Sequence, residues 1–455
     1  MPTAGSYLVP VIEDTGRRDA SVAPSVRVGV LGCGNVGGAL VEILDEDADG
    51  IAARTGVRLV VTRVAVRNVA KPRVASLHAD RLTHDAHSVA TDPDVDVVVE
   101  LIGGIEPART LIVDALRSGK PVVTANKELL ANFGAELYSV ARECGRDLLF
   151  EAAVAGGIPL VRALRESLAG ERVRRVTGIV NGTTNYVLSR MSDERIAYGE
   201  ALREAQSLGY AERDPTADVE GHDASAKAAI LASIAFDADV VAGDVYREGI
   251  ESIDVDDIDF AHRLGYEVKL LAVAERVGPD GPGDPAVAVR VHPAMVPRDH
   301  PLAGVRGPFN AVFVEGDAVG DLMLYGRGAG GRPTASAVLG DLVDAARGLV
   351  GGGAVWLPAR SPVEVRPIDE LEAQYYLTID VLDQPGVLAS VASVFGANGV
   401  SIRSMEQVGL GTEARLVLIT HRAREADVQA TLAGLRDVAE VERIGQLLRV
   451  VGPDR

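Results

Sequence analysis

The stretch VRVGVLGCGNVGGALVEIL, residues 26–44, decides the fold of the amino-terminal part of the chain. An apolar strand is followed by a glycine turn and then by an amphipathic helix. In this context Gly32 permits the tight turn, Gly34 lets the backbone approach a pyrophosphate, and Gly37 allows close helix packing. The N–H groups at the helix start then face the phosphates. The stretch predicts a dinucleotide site formed by Gly32, Gly34, Asn35, Val36 and Gly37.

Strand and helix patterns alternate from residue 26 to about residue 151. Apolar runs such as RLVVTRVAV and VDVVVELIG are separated by helical segments such as ARTLIVDALRSG. This alternation is typical of a parallel, doubly wound sheet. We therefore predict an α/β Rossmann-type domain over 26–151, completed by a second glycine turn and helix over 326–355. Residues 1–25 are predicted to be a flexible extension.

The remainder of the chain has two further patterns. Residues 152–325 mix helices and strands, which predicts an α+β domain, and 356–374 form a proline-containing linker. Residues 375–455 follow the order βαββαβ, which is a ferredoxin-like arrangement. The sequence therefore predicts three domains.

Composition limits the classes of function. The chain has 455 residues and a formal net charge of -19, which argues against nucleic acid or an anionic membrane as a partner. Only two cysteines are present, so a reducing compartment is expected and the predicted location is cytoplasmic. No apolar run approaches the roughly 20 residues that span a bilayer.

The end of the second predicted strand indicates the nicotinamide cofactor. An NAD site usually has an acidic residue there, which binds the ribose 2′-hydroxyl. Here the strand runs into Arg67, with Lys71 and Arg73 nearby. A cation suits a 2′-phosphate, so NADP(H) is the preferred prediction and NAD(H) remains possible.

The segment AERDPTADVEGHDASAKAAILA, residues 211–232, suggests the chemistry. Asp223 and Lys227 are four residues apart on a predicted helix and share one of its faces. Reduction of a carbonyl needs a proton donor beside the incoming hydride, and a lysine held by a carboxylate can be that donor. Lys127 follows a strand at the sheet edge where ligands bind. The turn 181–184 is polar and suited to hydrogen bonding a ligand.

Seven motifs follow one another in the chain: GVLGCGNVGG, ELIGG, VVTANKELLA, FEAAVAGGIP, VNGTTNYVLSRM, the segment 211–232 and GRGAGGRPTASAVLGD. In this order they resemble the motifs of the homoserine dehydrogenase family, and the resemblance covers roughly residues 26–451. The carboxyl-terminal segment DQPGVLASVASVFGANGVSI resembles an ACT domain. The resemblance implies reduction of L-aspartate 4-semialdehyde to L-homoserine with NAD(P)H, on the route to threonine, methionine and isoleucine.

The resemblance also assigns roles to residues. Lys227 is implied as the proton donor, Asp223 as its support, and Lys127 as a neighbour of both nicotinamide and substrate. Glu212 is implied to bind the substrate's amino group and Asp218 to shape that site. The residues implied to touch the cofactor are Gly182 and Gly330.

Further implications concern ions, effectors and assembly. The motif EAAVAGGIP implies a sodium site with Glu151, Val154, Gly156 and Ile158 as ligands, made of backbone carbonyls plus one carboxylate. The ACT domain implies inhibition by L-threonine. Residues 152–325 are expected to form the contact of a homo-oligomer, either a dimer or a tetramer.

Two alternatives remain open from the residues alone. A phosphorylating semialdehyde dehydrogenase would need a thiolate nucleophile, for which Cys144 is the candidate. A dinucleotide-binding amino-acid sensor without catalysis would make the Asp223–Lys227 pair structural.

Overall fold

The computed structural model describes residues 23–71, 77–278, 286–352, 362–409 and 413–452. Most of the predicted extension 1–25, Arg73 and part of the predicted linker 356–374 lie outside the described residues. Within those ranges, no helix combines the length and the apolar character needed to cross a bilayer.

The amino-terminal unit is built on a parallel sheet. The strands of its described residues are β1 (Ser25–Leu31), β2 (Arg58–Ala65), β3 (Leu82–Thr83), β4 (Val97–Glu100), β5 (Val122–Thr124) and β6 (Leu148–Leu149). They lie in the order β3-β2-β1-β4-β5-β6, with every neighbouring pair parallel. The strand order reverses between β1 and β4, where open α/β sheets bind ligands. The predicted Rossmann-type doubly wound sheet is confirmed.

Helices cover both faces of this sheet. They are α1 (Asn35–Glu46), α2 (Ala48–Thr55), α3 (Ala86–Thr91), α4 (Ala108–Arg117) and α5 (Lys127–Cys144). Successive residues of a strand point to opposite faces. In β4, Val97 and Val99 accordingly pack in the core that contains α1 and α2, whereas Val98 packs with α3, α4 and α5.

The middle unit carries a second sheet. Its helices are α6 (Leu160–Arg162), α7 (Gly182–Glu194), α8 (Tyr198–Ser207), α9 (Thr216–Val219), α10 (His222–Ala235) and α11 (Val255–Arg263). Its strands are β7 (Val173–Ile179), β8 (Tyr246–Arg247), β9 (Tyr266–Val277), β10 (Ala286–Pro297), β11 (Phe309–Gly316) and β12 (Gly320–Arg327). The long strands lie in the order β12-β11-β7-β9-β10 with antiparallel neighbours, so the α+β prediction is confirmed.

The chain then returns to the first sheet through the second glycine turn. Helix α12 (Gly331–Gly351) packs in the same core as α1 and β1. A Cβ atom added at Gly331 would lie 3.1 Å from the Asn35 carbonyl oxygen, because the first residues of α12 and α1 are neighbours. Two helix amino termini, each with partial positive charge, therefore lie side by side.

The carboxyl-terminal unit has the predicted βαββαβ order. Its elements are β13 (Glu364–Val365), β14 (Glu372–Leu382), α13 (Val387–Ala397), β15 (Ile402–Gly409), β16 (Glu413–Thr420), β17 (Ala423–Arg424), α14 (Glu425–Arg436) and β18 (Val441–Val450). The main strands lie in the order β18-β14-β16-β15, with antiparallel pairs. This arrangement confirms the ferredoxin-like prediction.

The attachment of this unit differs from the expectation that a linker alone joins it to the rest. Strand β18 pairs in parallel with β10 through Val450 and Met295. Strand β13, which lies inside the predicted linker 356–374, also pairs with β10. The edge of a strand carries N–H and C=O groups that pairing satisfies, and β10 offers such an edge along its length. One continuous sheet therefore runs through both units.

An ion-pair network also crosses this junction. Arg449 of β18 is 3% exposed and donates hydrogen bonds of 2.9 Å to Glu425 of α14 and 2.9 Å to Glu248 of the middle unit. The backbone beyond Glu248 lies against α9, because Ile250 N–H donates to the Val219 carbonyl oxygen over 2.9 Å. The carboxyl-terminal unit is thus in contact, through a few residues, with the acidic segment 211–232.

Candidate active site

A cleft of about 610 Å³ lies between the parallel sheet and the middle unit. This volume is in the range of small-molecule sites. The predicted site residues that line it are Val36, Lys127, Gly156, Gly182, Glu212, Asp218, Asp223, Lys227 and Gly330. Segments far apart in the chain therefore meet in one place.

The glycine turn has the geometry that a dinucleotide site requires. Gly32 has φ +99°, and a Cβ atom there would lie 2.6 Å from the Leu101 carbonyl oxygen. A Cβ atom at Gly37 would lie 2.4 Å from the Gly32 carbonyl oxygen, whereas one at Gly34 would meet no atom within 4 Å. The turn is therefore closed on its packing side and open at Gly34. Helix α1 begins there without a side-chain cap.

Arg67 is exposed and follows the carboxyl end of β2 by two residues. Strand β2 pairs with β1, whose end carries the glycine turn. Arg67 therefore lies just beyond the carboxyl end of the neighbouring strand, where the ribose of a bound dinucleotide is expected. Its contact with a 2′-phosphate stays a prediction.

The position of Lys127 is set by its neighbour Asn126. The Asn126 side chain caps α5 by accepting the Leu129 N–H over 3.2 Å, and its amide donates to the Gly104 carbonyl oxygen over 2.6 Å. Because α5 begins immediately after β5, the Lys127 ammonium reaches into the cleft from the edge of the parallel sheet.

Sequence reasoning did not identify Glu100 as part of this edge. Its fully buried carboxylate accepts hydrogen bonds from the N–H groups of Ile102, 2.7 Å, and Gly103, 3.1 Å, and from the Thr124 hydroxyl, 2.6 Å. These bonds hold the loop after β4 against the end of β5. The signal in the sequence was a carboxylate at the end of a wholly apolar run.

Helix α10 carries the predicted acid–base pair. Asp223 and Lys227 lie one turn apart, and the Lys227 Nζ donates to the Asp223 Oδ2 over 2.7 Å. The same ammonium donates to the Val180 carbonyl oxygen over 2.7 Å, and Lys227 is 8% exposed. An ammonium has three N–H bonds. Two are used by these partners, so a third is available to a ligand in the cleft.

Asp223 also binds the second lysine. The Lys127 Nζ lies 2.8 Å from the Asp223 Oδ1, so one carboxylate bridges two ammonium groups that are 100 residues apart in sequence. Although burial raises the pKa of the Asp223 carboxyl, Lys227 and Lys127 hold this pKa well below its ordinary value. The carboxylate in turn raises the pKa of Lys127. The site therefore holds one anion between two cations.

Asn181 organises the acidic side of the cleft. Its amide donates to the Asp218 Oδ1 over 2.6 Å and to the Asp223 Oδ2 over 2.9 Å, and its oxygen caps α7 by accepting the Thr184 N–H. The predicted polar turn was expected to bind a ligand. In the structure Asn181 positions two carboxylates, and Asn181, Gly182 and Thr183 of this turn line the cleft, so ligand binding by the turn stays a prediction.

Glu212 is exposed and lines the cleft. The loop that carries it is held by two hydrogen bonds: the Thr183 hydroxyl donates to the Tyr210 carbonyl oxygen, 2.6 Å, and Gln206 donates to the Glu212 carbonyl oxygen, 3.1 Å. Glu212 therefore lines the same cleft as Asp218.

The predicted sodium ligands lie together in an irregular segment, but the carboxylate among them has another function. The Glu151 carboxylate is buried and accepts the N–H groups of Val161 and Arg162, each over 2.8 Å, at the start of α6. Ala155 and Gly156 both have positive φ, which turns successive carbonyl groups in different directions. Any cation here would be held by the carbonyl groups. Among the described residues, no group of three or more acidic, histidine or cysteine side chains could hold a metal ion.

The position of Cys144 removes one alternative. Cys144 is the last residue of α5, whose first residue is Lys127. At 1.5 Å per residue the two ends of this helix are roughly 25 Å apart. A thiolate at that distance cannot attack a substrate bound beside Lys127, so the structure contradicts the phosphorylating semialdehyde dehydrogenase.

Comparisons with known proteins agree with this geometry. Residues 32–151 match the family described as "Homoserine dehydrogenase, NAD binding domain", residues 159–343 match "Homoserine dehydrogenase", and residues 375–440 match "ACT domain". A homoserine dehydrogenase of Mycobacterium tuberculosis is 49% identical, with 94% of this chain and 98% of that protein covered.

Solved structures are also similar. A homoserine dehydrogenase from Thiobacillus denitrificans superposes with a TM-score of 0.88 at 40% identity, covering 94% of this chain and 98% of that one. A hyperthermophilic archaeal homoserine dehydrogenase in complex with NADPH gives a TM-score of 0.59 at 28% identity, covering 73% of this chain and 100% of that one. The chain therefore belongs to the homoserine dehydrogenase family, oxidoreductases that act on a CH–OH group, and it carries an NAD(P)-binding domain and an ACT domain.

Proposed function

We propose that this chain reduces L-aspartate 4-semialdehyde to L-homoserine, with NADPH as the preferred reductant and Lys227 as the proton donor. The observation that carries the proposal is the Lys227 ammonium, held by Asp223 and the Val180 carbonyl oxygen inside the cleft. NADPH, when bound along the glycine turn, supplies the hydride to the aldehyde carbon. In biosynthesis the product would lead towards threonine, methionine and isoleucine.

Lys227 stabilises charge where it develops. As the aldehyde oxygen becomes an alkoxide, the free N–H bond of Lys227 donates to it and then transfers its proton. Asp223 keeps the ammonium oriented, and Lys127 supplies a second positive charge on the other side of the same carboxylate. Lys127 would therefore orient the substrate oxygen or the nicotinamide carboxamide rather than act as the acid.

The acidic side of the cleft would bind the substrate's amino group. Glu212 and Asp218 both line the cleft, and one Asp218 oxygen is bound by Asn181. An ammonium ion with three N–H bonds can contact both carboxylates. In the proposed binding mode the amino acid end of the substrate would lie opposite the dinucleotide and the aldehyde end near Lys227.

Replacing Lys227 with Met tests the chemistry. The side chain keeps its length and loses its charge, so we expect kcat to fall by roughly 10²–10⁴-fold, the range for loss of a general acid. Binding of NADPH, measured by fluorescence titration, should stay within about twofold, because the lysine contacts the substrate oxygen. Normal turnover of the variant would contradict the assignment. Failure of the parent chain to oxidise NADPH with the semialdehyde would instead support the amino-acid sensor.

The preference for NADPH rests on Arg67 and on the absence of an acidic residue directly after β2. The complex of the archaeal relative with NADPH supports a site for that dinucleotide in this family. Replacing Arg67 with Ala should weaken NADPH binding by about 1.5–3 kcal/mol, the contribution of a hydrogen bond to a charged group, and leave NADH binding unchanged. Arg63→Ala is the matched control, since Arg63 lies on β2, four residues before Arg67, and pairs with Asp92. Equal losses for both dinucleotides would show that Arg67 does not bind the 2′-phosphate.

A sodium ion bound by the carbonyl groups of Glu151, Val154, Gly156 and Ile158 would stabilise the segment between the two sheets. Its irregular backbone, with positive φ at Ala155 and Gly156, supports this proposal. A ligand that binds only the folded state raises the melting temperature with its concentration. We therefore expect a higher melting temperature in sodium chloride than in tetramethylammonium chloride of equal ionic strength. Identical melting curves in the two salts would exclude a stabilising sodium site.

L-threonine is the proposed inhibitor, acting through the ACT domain. The turn 383–386 and helix α13 resemble the effector-binding edge of such domains, and the proposed site lies where two subunits of a homo-oligomer meet. The Arg449 contacts with Glu425 and Glu248 offer a physical route from this domain to the acidic segment. Removing the whole domain would not be a clean test, since Tyr376 and Leu448 share the core of the middle unit.

Substitution within the turn is the sharper experiment. Asp383→Ala should raise the threonine concentration that gives half-inhibition by about tenfold, within the 1–3 kcal/mol that is typical of allosteric coupling, without changing kcat. Asp437→Ala, an exposed residue beyond α14, is the control and should respond as the parent does. Inhibition of the Asp383 variant at parental threonine concentrations would place the effector site elsewhere.

A further inference from the structure

A short segment, residues 305–309, forms one wall of the cleft. Pro308 lines the cleft, and a Cβ atom at Gly182 would lie 2.9 Å from the Pro308 carbonyl oxygen. Gly182 begins α7, and Asn181 immediately before it holds the Asp223 carboxylate. A displacement of this segment would therefore change the cleft beside the acid–base pair.

The segment depends on side chains from α7 for its position. Asn185 donates from its amide to the carbonyl oxygens of Gly307, 2.8 Å, and Phe309, 3.2 Å. The Gly307 N–H donates to the Ser189 hydroxyl over 3.2 Å, and Gly307 has φ +61°. Asn185 is 1% exposed, so water does not compete for these bonds.

Lys269 of β9 completes this arrangement from the other side. It is 1% exposed, and its Nζ donates to the Val305 carbonyl oxygen over 2.5 Å and to the Asn185 Oδ1 over 3.3 Å. Both partners are uncharged, and within the described ranges no carboxylate lies at ion-pair distance from this ammonium. Burial and the nearby Arg306 lower the pKa of Lys269 to about 8.

A buried ammonium without a directly paired carboxylate is costly. An apolar residue of similar size on β9 would avoid this cost, as Leu271 does on the same face of the strand two positions later. The stability of the fold alone therefore does not explain the lysine. The lysine does provide hydrogen-bond donors at two points. One donor holds the Val305 carbonyl oxygen, at the start of residues 305–309, and the other holds Asn185, which binds Gly307 in the middle of this segment.

We propose that Lys269 is a positioning residue for the cleft: together with Asn185 it fixes residues 305–309 and so sets the Pro308 wall against Gly182. It contacts neither substrate nor cofactor, and its effect is on binding rather than on the chemical step. The proposal rests on the proposed function in one respect, the placement of the dinucleotide beside Gly182.

The test compares Lys269→Met with Lys120→Met. Lys120 is also buried, at 6% exposed, but it lies in the amino-terminal unit away from the cleft, so its loss reports the effect of removing any buried lysine. For Lys269→Met we expect the dissociation constant of NADPH to rise about tenfold, the size of one net hydrogen bond, with kcat at saturating ligands within about threefold. For Lys120→Met both quantities should stay at the parental values.

Hydrogen exchange of the unliganded protein provides a readout that does not depend on the assigned reaction. Amide exchange of residues 305–309 should accelerate in Lys269→Met and stay parental in Lys120→Met. Asn185→Asp, which keeps the size of the side chain and removes its donors, should accelerate the same amides even if Lys269→Met does not fold. Unchanged exchange of these amides in either Lys269→Met or Asn185→Asp would overturn the positioning role.

The two proposals fail in different ways. If the parent chain does not reduce the semialdehyde while the amides of 305–309 respond as expected, the proposed function is wrong and the positioning role stands. Parental NADPH affinity in Lys269→Met would show that Lys269 does not position the cleft wall. A fall in kcat by the same factor as the fall in NADPH affinity would show the same.

Discussion

A single buried carboxylate, Asp223, stands between two lysines that come from different units of the chain. Lys127 belongs to the edge of the parallel sheet and Lys227 to a helix of the middle unit. Without the carboxylate, two ammonium groups would face each other in a mostly buried cleft, and their repulsion would push the units apart. The charge of Asp223 therefore holds the two halves of the site together while it orients Lys227, the proposed proton donor. The contact between the units uses Oδ1 of this carboxylate and the orientation of Lys227 uses Oδ2.

The rest of the site follows from where strands end. In the parallel sheet the carboxyl ends of β1, β4 and β5 carry the glycine turn, the Glu100 loop and Lys127, so these groups meet at one edge. Helix α12 then returns to place a second amino terminus beside that of α1. Two positive helix ends suit a pyrophosphate, and the acidic residues of the middle unit suit an ammonium group. One side of the cleft therefore carries partial positive charge and the other side carries negative charge.

Local patterns predicted the parts of this site well, but not the contacts between them. The glycine turn and the Asp223–Lys227 pair are determined by spacings of a few residues, and both were predictable because strand and helix geometry fix such neighbours. The bridge from Lys127 to Asp223 spans about 100 residues and depends on how two sheets pack. Spacing within one element cannot specify such a contact. For the same reason the sequence did not predict that the Glu151 carboxylate caps a helix that begins some ten residues later.

Lys269 and Arg449 show what apolar patterning conceals. Each lies within a strand whose hydrophobic run predicts β structure correctly and gives no role to the cation inside it. Both cations are nearly fully buried, and each contacts a segment that belongs to another element. Arg449 binds Glu248, whose following residues pack on the helix that precedes Asp223, while Lys269 holds the segment that contains Pro308. The carboxyl-terminal unit is connected to both cations, because Ala294 of β10 pairs with Arg449 of β18 on one side and with Lys269 of β9 on the other. Strand β10 therefore joins the segment behind Asp223 and the segment held by Lys269 to the same carboxyl-terminal unit, a connection between distant strands that no local sequence pattern specifies.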